Sequence, residues 1–437
     1  MNLLLLTEEA WNDKIYPNNV LTNWFGNYND NLANIYLASG SPYNSCCSQY
    51  FQLTDKMAVT SRILKKNKGK WLINRTFSEK GTKAGAVVNV NRNGRSLRYL
   101  KYLKAAAGGP MRLLRDFVWL QSKWEGTLLT DFLAAYKPDV IFSLRFYSRR
   151  MLYMEKLLHE MTGAPVVVFT GDDEYSLKQL NLSPFYWGRK LLFRQELRRN
   201  AMFYEKFYTL SLAQSKKISE ELGVASEVLY KGGDFPEKFA SKAVATPVRI
   251  VYAGRLYCNR DKTIMAIAKA LSEINKDEVK MILHIYTRDN FSKKQSRLLE
   301  ENNAVFLKGF VTADRLKEVY KEADIALHAE SFDIRYRWLL RYSFSTKIVD
   351  CLGSTCAVLA VGHSENEGIR YLRRNRGAIC IKRKREIYPV LSQIARHPDR
   401  ITLYQKKAWE LGVKAHRIED VRNKLNSALT SIAKSNV

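Results

Sequence analysis

Small residues and cations recur directly after predicted strands in the second half of the chain. In the segment VYAGRLYCNRDK, a strand ends at Ala253, Gly254 and Arg255 follow at once, and Lys262 comes near the next predicted helix. Glycine allows a ligand to approach the backbone closely, and cations beside a helix start can neutralise a diphosphate. The segment therefore predicts a phosphate-binding loop; the alternative is a solvated basic loop.

A second group of polar residues lies farther along the chain, where a predicted strand ends and a helix begins. Glu330 closes the strand, Ser345, Thr346 and Lys347 open the helix, and Asp350 follows one turn later. Ser345 or Thr346 could cap the helix and leave its amides free for phosphate, which Lys347 would neutralise. Asp350 could accept hydrogen bonds from ribose hydroxyls. The alternative is that Lys347 and Asp350 form a simple surface pair.

Paired carboxylates follow a predicted strand in the first half of the chain. Asp172 and Asp173 come directly after the strand Pro165–Thr170, in a loop that leads to a helix. A carboxylate there could deprotonate a substrate hydroxyl or stabilise an oxocarbenium-like transition state. Asp173 could equally cap the following helix. The cysteines have no metal-ligand spacing, so we expect no metal and no other cofactor.

The elements that must hold these residues alternate between strands and helices. In the first half, the strands Asn2–Leu6 and Val140–Ser143, the helix Met151–Met161 and the strand Pro165–Thr170 form a β-α-β rhythm. The segment Gly232–Arg249 has two prolines, small residues and no clear period, which indicates an interdomain linker. The alternation of strands and helices then begins again. The predicted strands are Val248–Ala253, Met281–Tyr286, Ile325–Ala329 and Ala357–Val361, and the predicted helices are Thr263–Ile274, Ser292–Asn302, Ala313–Ala323 and Ser345–Gly353. This pattern predicts two doubly wound α/β domains. We expect domains at 1–240 and 247–400, and C-terminal helices at 401–437 that return to the first domain.

Composition restricts the partners of the chain. Of 437 residues, 71 are Lys or Arg and 43 are acidic, a net charge of +28 that favours polyanionic ligands or surfaces. Basic segments that also contain apolar residues occur at Asn91–Trp124, Gly188–Arg199 and Arg373–Arg385, and they suit the cytoplasmic face of an anionic membrane. Ordinary solvated helix faces are the alternative. Because no apolar run approaches about 20 residues, we expect a cytoplasmic protein whose membrane contact is peripheral.

The second half resembles the donor site of GT-B glycosyltransferases, in particular the large retaining family that includes capsule, lipopolysaccharide and sucrose-forming enzymes. The resemblance rests on Gly254-Arg255 with Lys262, on KGFV at Lys308–Val311, and on the segments ADIALHAESFD and SFSTKIVDCLGSTCAVLA. It covers about 247–362 well and the first half only in layout. Two departures are Thr346, where the family has proline, and Asp350, where the family has glutamate.

The resemblance implies an architecture and a set of roles. It implies two Rossmann-like domains that face each other across a cleft, with a C-terminal helix packed back on the first domain. Arg255 and Lys262 would hold the diphosphate of a UDP- or GDP-sugar, Phe310 would lie beside the nucleobase, and Asp350 would take the ribose position. The acceptor would be a glycan or a lipid-linked glycan of surface polysaccharide synthesis. From their place after the first strand, Trp11 and Asn19 are expected to contact it.

Two other classes of function remain as alternatives. A sugar-nucleotide epimerase or a phosphorylase could use the same fold, although an epimerase would need several convergent carboxylates. A basic nucleic-acid-binding protein would explain the charge, but the sequence contains no recognisable nucleic-acid reader module. We therefore expect no nucleic-acid partner.

Overall fold

The computed structural model describes residues 1–15, 19–64, 69–73, 109–122, 124, 127–301 and 303–435. Residues 91–108 of the predicted basic segment Asn91–Trp124 lie outside these ranges. Within the described residues, the chain forms two separate sheets with helices packed on both faces of each. No helix in the described part of the chain is both long and apolar enough to span a bilayer.

The first sheet has β1 near its centre. Its strands run in the order β4-β3-β2-β1-β5-β6-β7-β8, and only β4 is antiparallel to its neighbour. β1 is a run of leucines, and Leu3 to Leu6 are all fully buried, as expected for a parallel strand covered on both faces. The strands are β1 Asn2–Thr7, β2 Asn31–Tyr36, β3 Gln49–Gln52, β4 Lys70–Ile73, β5 Val140–Arg145, β6 Val166–Thr170, β7 Tyr204–Thr209 and β8 Ser226–Val228.

Helices connect these strands and cover the sheet. The helices of the first domain are α1 Val20–Phe25, α2 Asp55–Leu64, α3 109–120, α4 Thr127–Tyr136, α5 Arg149–Thr162, α6 Pro184–Asn200 and α7 Leu212–Leu222. α5 ends at Gly163, whose left-handed backbone (φ 69°) closes the helix as glycine commonly does.

The second sheet is parallel throughout. Its strand order is β11-β10-β9-β12-β13-β14. This is the doubly wound arrangement, in which successive strands are added on one side of β9 up to β11 and then on its other side from β12 onwards. The strands are β9 Val248–Ala253, β10 Met281–Tyr286, β11 Val305–Gly309, β12 Ile325–Ala329, β13 Ala357–Val361 and β14 Ile379–Ile381. The helices are α8 Arg260–Ile274, α9 Lys293–Glu300, α10 Ala313–Glu322, α11 Ile334–Leu339, α12 Lys347–Leu352, α13 Glu367–Arg374 and α14 Ile387–Arg396.

The chain crosses between the two domains twice. After α15 (Arg400–His416) it bends at Arg417 and continues as α16 (Ile418–Lys434). The two crossings touch, since the Gly233 amide donates to the His416 carbonyl at 2.7 Å. α16 packs on the first domain, where Leu425 and Leu429 are fully buried. The predicted architecture, including the returning C-terminal helix, is confirmed.

Local differences from the sequence prediction have physical causes. α8 begins at Arg260 instead of Thr263, because Cys258 and Asn259 both adopt positive φ angles and the chain becomes helical directly after them. The segment after β1, for which no helix was predicted, contains the short helix α1. The predicted C-terminal helices begin at Arg400, and the extended backbone of Arg417 (φ −59°, ψ 129°) separates α15 from α16.

Candidate functional site

The carboxyl ends of β9 and β12 meet where the strand order of the second sheet reverses. In open α/β sheets, ligands bind in the crevice at this switch point. β9 ends at Ala253 and is followed by Gly254, and β12 ends at Ala329 and is followed by Glu330. The structure therefore brings the first and second predicted groups of polar residues to one place.

Gly254 leaves room for Lys347. Its φ of +153° lies in a region that other residues rarely adopt, and a Cβ atom at this position would lie 1.7 Å from Lys347 Nζ. The glycine thus serves a side chain of the protein itself, and the ammonium group occupies the space that we predicted for a ligand's close approach.

Lys347 is a largely buried cation at the first position of α12. Its Nζ lies 5.7 Å from the centre of the Tyr252 ring and forms no hydrogen bond or ion pair with a described residue. Burial, followed by the positive charge of Arg260, lowers the pKa of Lys347 to about 8. Since an unpaired buried charge is costly, this ammonium group is a strong candidate to bind an anion.

Glu330 is already paired within the protein. Arg260 donates to its carboxylate from Nε at 3.0 Å and from Nη2 at 2.6 Å, and both side chains are about 5% exposed or less. Burial lowers the pKa of the neighbouring His328 to about 4, which leaves that ring neutral. Sequence reasoning missed Arg260, although its position as the first residue of α8 would have marked it if the helix start had been predicted correctly.

The predicted diphosphate ligands Arg255 and Lys262 lie on the rim of the crevice. Arg255 Nε pairs with Asp289 at 3.1 Å, and Lys262 Nζ pairs with Asp333 at 3.0 Å. Both cationic side chains are more than half exposed. A phosphate group would therefore compete with a carboxylate for each of them, in contrast to Lys347.

Phe310 lies after β11, at the same edge of the sheet. The ring is 54% exposed, and the Arg288 guanidinium lies 3.5 Å from its centre. This arrangement offers a flat surface on which a planar ring could stack. Arg288 was not identified from the sequence, because nothing in TRDN after β10 sets this arginine apart.

The start of α12 differs from the predicted phosphate cap. Thr346 occupies the N-cap position with helical backbone angles, and its side chain makes no capping hydrogen bond. Ser345 lies one residue outside the cap. Asp350 accepts a hydrogen bond from Lys231 Nζ at 2.7 Å, so it is tied to the first interdomain crossing.

The loop after β6 presents Asp172 at the cleft. Asp172 is exposed to solvent, but the surrounding protein partly desolvates its carboxylate and, together with the neighbouring Asp173, raises its pKa; the carboxylate makes no hydrogen bond to a described residue. Burial also raises the pKa of the Cys258 thiol in the second domain, and the Asp172 charge adds to this effect. Asp172 is therefore close enough to the facing domain to act on it electrostatically.

Asp173 has a structural role that differs from helix capping. Its Oδ1 accepts from the Ser176 amide at 2.9 Å within the loop, whereas Ser183 caps α6. The expectation that Asp173 caps the next helix is therefore wrong, because the chain makes a turn before that helix begins.

A buried network of ion pairs and hydrogen bonds holds the loop that follows β6. Arg145 donates to Glu174 at 3.0 Å, to Glu155 at 2.8 Å and to Tyr204 at 3.0 Å. Burial raises the pKa of Glu174 to about 7, with Arg145 opposing the shift. Lys190 of α6 also donates to the Glu174 carbonyl. Sequence reasoning missed this network, since its members come from five separate segments of the chain.

The two predicted acceptor contacts hold their own loop together. Trp11 is 1% exposed, and its indole nitrogen donates to Thr22 at 2.9 Å and Asp13 at 3.0 Å. Asn19 caps α1 by accepting from the Leu21 amide at 3.0 Å. In this conformation the Trp11 ring has no free face on which a sugar could stack.

Metal ligands are not grouped in the described part of the chain. Across those residues, no set of three or more His, Cys, Asp or Glu side chains is arranged to hold an ion. The pair Asp172 and Asp173 therefore has no third ligand there.

The two doubly wound domains, the facing carboxyl edges and the returning α16 define the GT-B fold. Solved structures of this fold resemble the chain along its length. They include Anabaena Alr3699/HepE in complex with UDP (TM-score 0.61, 13% identity, 99% of this chain and 100% of that chain). They also include sucrose-phosphate synthase from Thermosynechococcus elongatus (TM-score 0.60, 10% identity, 99% of each chain).

A third similar structure matches only part of each chain. It is the pneumococcal O-GlcNAc transferase GtfA in complex with UDP and GlcNAc (TM-score 0.50, 13% identity, 70% of this chain and 60% of that chain). No protein-family model matches the sequence, and no curated protein is significantly similar to it in sequence. At these identities the similarities show the fold.

We predict that Gly254→Ala displaces the Lys347 ammonium group. The added methyl group would occupy the position of Nζ, so the side chain would move towards water and its pKa would rise from about 8 towards the ordinary lysine value. NMR titration of the lysine Nζ or Cε signals measures this change. Gly163→Ala is the matched control, because it also has positive φ but has open space around it. An unchanged Lys347 pKa in Gly254→Ala would contradict the assignment.

Proposed function

We propose that this protein is a glycosyltransferase that moves a sugar from a nucleotide-sugar donor to a glycan acceptor. The observation that carries the proposal is the largely buried side chain of Lys347 at the switch point of the second domain, whose ammonium group has no hydrogen bond or ion pair with a described residue. An anion at this point would relieve the cost of the buried charge, and a diphosphate is the anion that a nucleotide-sugar supplies. The GT-B fold, shared with a sucrose-phosphate synthase and an O-GlcNAc transferase, supports the same reaction class.

The remaining donor contacts follow from the surroundings of Lys347. Arg255 and Lys262 would close over the diphosphate from the rim after exchanging their carboxylate partners for phosphate. Phe310 would stack with the base of UDP or GDP, with Arg288 beside it. Asp350 would accept from the ribose after leaving Lys231. Glu330 would act through Arg260 by fixing its guanidinium close to Lys347. No metal or other cofactor is required in this proposal, since these cations neutralise the leaving diphosphate.

Asp172 is the proposed group on the acceptor side. Its raised pKa means that its carboxylate holds a proton more tightly than a fully hydrated aspartate without a neighbouring carboxylate, which suits a base that accepts a proton from a hydroxyl group. Its position opposite Cys258 supports contact with the reacting sugar. Retention of configuration, as in the family that the sequence resembles, is the stereochemistry we propose. The acceptor hydroxyl would attack from the face that the diphosphate leaves, so that the bond to the diphosphate breaks as the glycosidic bond forms and Asp172 takes the hydroxyl proton.

We further propose a cytoplasmic enzyme that associates peripherally with an anionic membrane and acts in surface polysaccharide synthesis. Apolar side chains are exposed on α6, among them Phe185, Leu191 and Leu192, and Arg198 is exposed on the same helix. This mixture of exposed apolar and cationic side chains is typical of segments that lie on anionic bilayers.

The donor can be identified with a panel of nucleotide-sugars, measured by thermal shift and by donor hydrolysis. We expect one UDP- or GDP-sugar to bind in a manner that resists added salt, whereas nucleic-acid binding would weaken steeply with salt. With that donor, Arg255→Ala and Lys262→Ala should each lower turnover about 100-fold or more and leave the fold intact. Lys276→Ala, an exposed lysine distant from the crevice, is the control. Near-normal turnover in the first two variants would contradict the rim assignment.

Asp172→Asn separates catalysis from donor binding. Because the amide cannot accept a proton, we expect turnover to fall about 100-fold while the donor Kd changes less than about twofold. Steady-state kinetics with calorimetric donor titration measures both quantities. A weaker donor affinity with unchanged kcat would instead make Asp172 a binding residue.

Donor affinity should depend on pH through Lys347. Below pH 8 the ammonium is charged and binds the diphosphate; above its pKa of about 8 binding must take up a proton, so Kd should rise towards about tenfold per pH unit. Lys347→Arg remains charged and should bind with little change up to about pH 10. Calorimetry from pH 7 to 9.5 in two buffers measures the affinity and the proton uptake. Equal profiles for the two proteins would count against the role of Lys347.

A further inference from the structure

An apolar pocket lies between α2 and α3 of the first domain. Its volume is about 460 Å³, within the usual size range of small-ligand sites. Val59, Met111, Leu114, Val118 and Trp119 supply the apolar wall. Asp55, Arg112 and Arg115 supply the polar part of the lining.

Arg115 is the unusual member of this lining. It forms no hydrogen bond or ion pair with a described residue, and its Nε is buried without a partner. Burial and the nearby positive charge of Arg150 lower the pKa of Arg115, and Asp116 and Asp55 only partly offset them. A partly buried guanidinium that lies near a second cation is unfavourable, because it has lost part of its hydration and is repelled by that cation. A bound anion would offset both costs.

The neighbouring charges are already used within the protein. Arg150 donates to Asp55 at 3.0 Å and to Glu8 at 3.0 Å, and Trp119 donates to Asp55 at 2.6 Å. Asp116 accepts from Arg189 at 2.7 Å. Among the described side chains of the lining, these contacts leave Arg115 and the exposed Arg112 as the cations that remain for a ligand.

The pocket lies on the edge of the first sheet that faces the second domain. Asp55 opens α2 directly after β3, and Arg150 lies in the first turn of α5 after β5. Through Arg150, the pocket is joined to Glu8, which follows β1. The carboxyl ends of three strands therefore meet beside it, on the same edge of the sheet as Asp172.

We propose that this pocket binds the phosphorylated end of an amphiphilic acceptor, with phosphate at Arg115 and Arg112 and the hydrocarbon chain along Val59, Met111, Leu114 and Val118. The inference rests on the proposed glycosyl transfer and names the acceptor class as a lipid phosphate or diphosphate. A purely polar acceptor would not use the apolar wall, and a purely apolar ligand would leave Arg115 unpaired.

The shape of the lining favours an individual amphiphile over a flat bilayer surface. Trp119 is fully buried and forms the inner wall, so part of the ligand enters below the helix surface. Leu114 is 63% exposed at the mouth, where a chain would leave the pocket. Phosphate is the anion that matches the fork of an arginine and is present at the linkage of lipid-carried glycans.

The test uses decyl phosphate below its micelle concentration, titrated into the full-length protein by calorimetry. We expect binding that is at least about tenfold tighter than that of inorganic phosphate or of neutral decyl glucoside, since each lacks half of the recognised chemistry. Arg115→Gln should weaken decyl phosphate about tenfold, and Arg115→Lys should restore part of the affinity. Leu114→Asn should also weaken it.

Matched controls separate this site from general charge and hydrophobicity. Arg199→Gln on α6 and Leu403→Asn on α15 change residues that are exposed but distant from the pocket, and they should bind as the unchanged protein does. Equal decyl phosphate affinity in Arg115→Gln and the unchanged protein would overturn the proposal. Binding only to vesicles with anionic lipid, with no binding of monomeric decyl phosphate, would also overturn it and assign α3 to a membrane surface.

A parallel titration with the nucleotide-sugar panel distinguishes the two proposals. If decyl phosphate binding depends on Arg115 while no nucleotide-sugar binds, the pocket is supported and the glycosyltransferase proposal fails. If a nucleotide-sugar binds and turns over while decyl phosphate does not bind, the acceptor class fails and the donor site is supported.

Discussion

The arrangement of the second domain depends on the placement of one ammonium group beside a glycine that has no side chain. Lys347 fits only because Gly254 lacks a Cβ atom, and its pKa is lowered first by burial and then by the positive charge of Arg260. Arg260 in turn is buried at low cost because Glu330 neutralises it at 2.6 Å. β9, β12, α8 and α12 each contribute one member of this group. The parallel sheet that aligns their ends is therefore what makes the charge cluster possible.

Most of the architecture could be predicted from the sequence. The strands Val248–Ala253, Met281–Tyr286, Ile325–Ala329 and Ala357–Val361 have the predicted bounds, because long apolar runs between polar segments specify buried parallel strands strongly. Helix starts were less certain. The beginning of α8 depends on the left-handed backbone of Cys258 and Asn259, and neither residue type signals that conformation as glycine would.

The position of the candidate site could be predicted from the sequence. The hydrogen bonds and ion pairs between its side chains could be predicted only in part. Sequence spacing indicated that Gly254, Glu330 and Lys347 meet at one edge, since they follow or precede recognisable elements. It did not indicate that Arg260 would form an ion pair with Glu330, or that Trp11 would be buried and donate a hydrogen bond to Thr22. These contacts depend on which side chains are close in three dimensions. Their partners lie far apart in the chain, so the spacing of residues in the sequence does not predict them. Arg115 was hidden for the same reason, because only the three-dimensional structure shows that it has no partner among the described residues.

The returning helix α16 has a consequence for how the protein is made. Leu425 and Leu429 belong to the core of the first domain, and Arg422 donates to the Asn23 carbonyl at 2.7 Å. During translation, the amino-terminal lobe emerges about 200 residues before the helix that completes its interior. The core of that lobe cannot be completed until residues 418–434 have left the ribosome. Until then, the apolar surface along α1 that α16 covers stays exposed. Assembly of the amino-terminal lobe thus finishes last although its synthesis begins first.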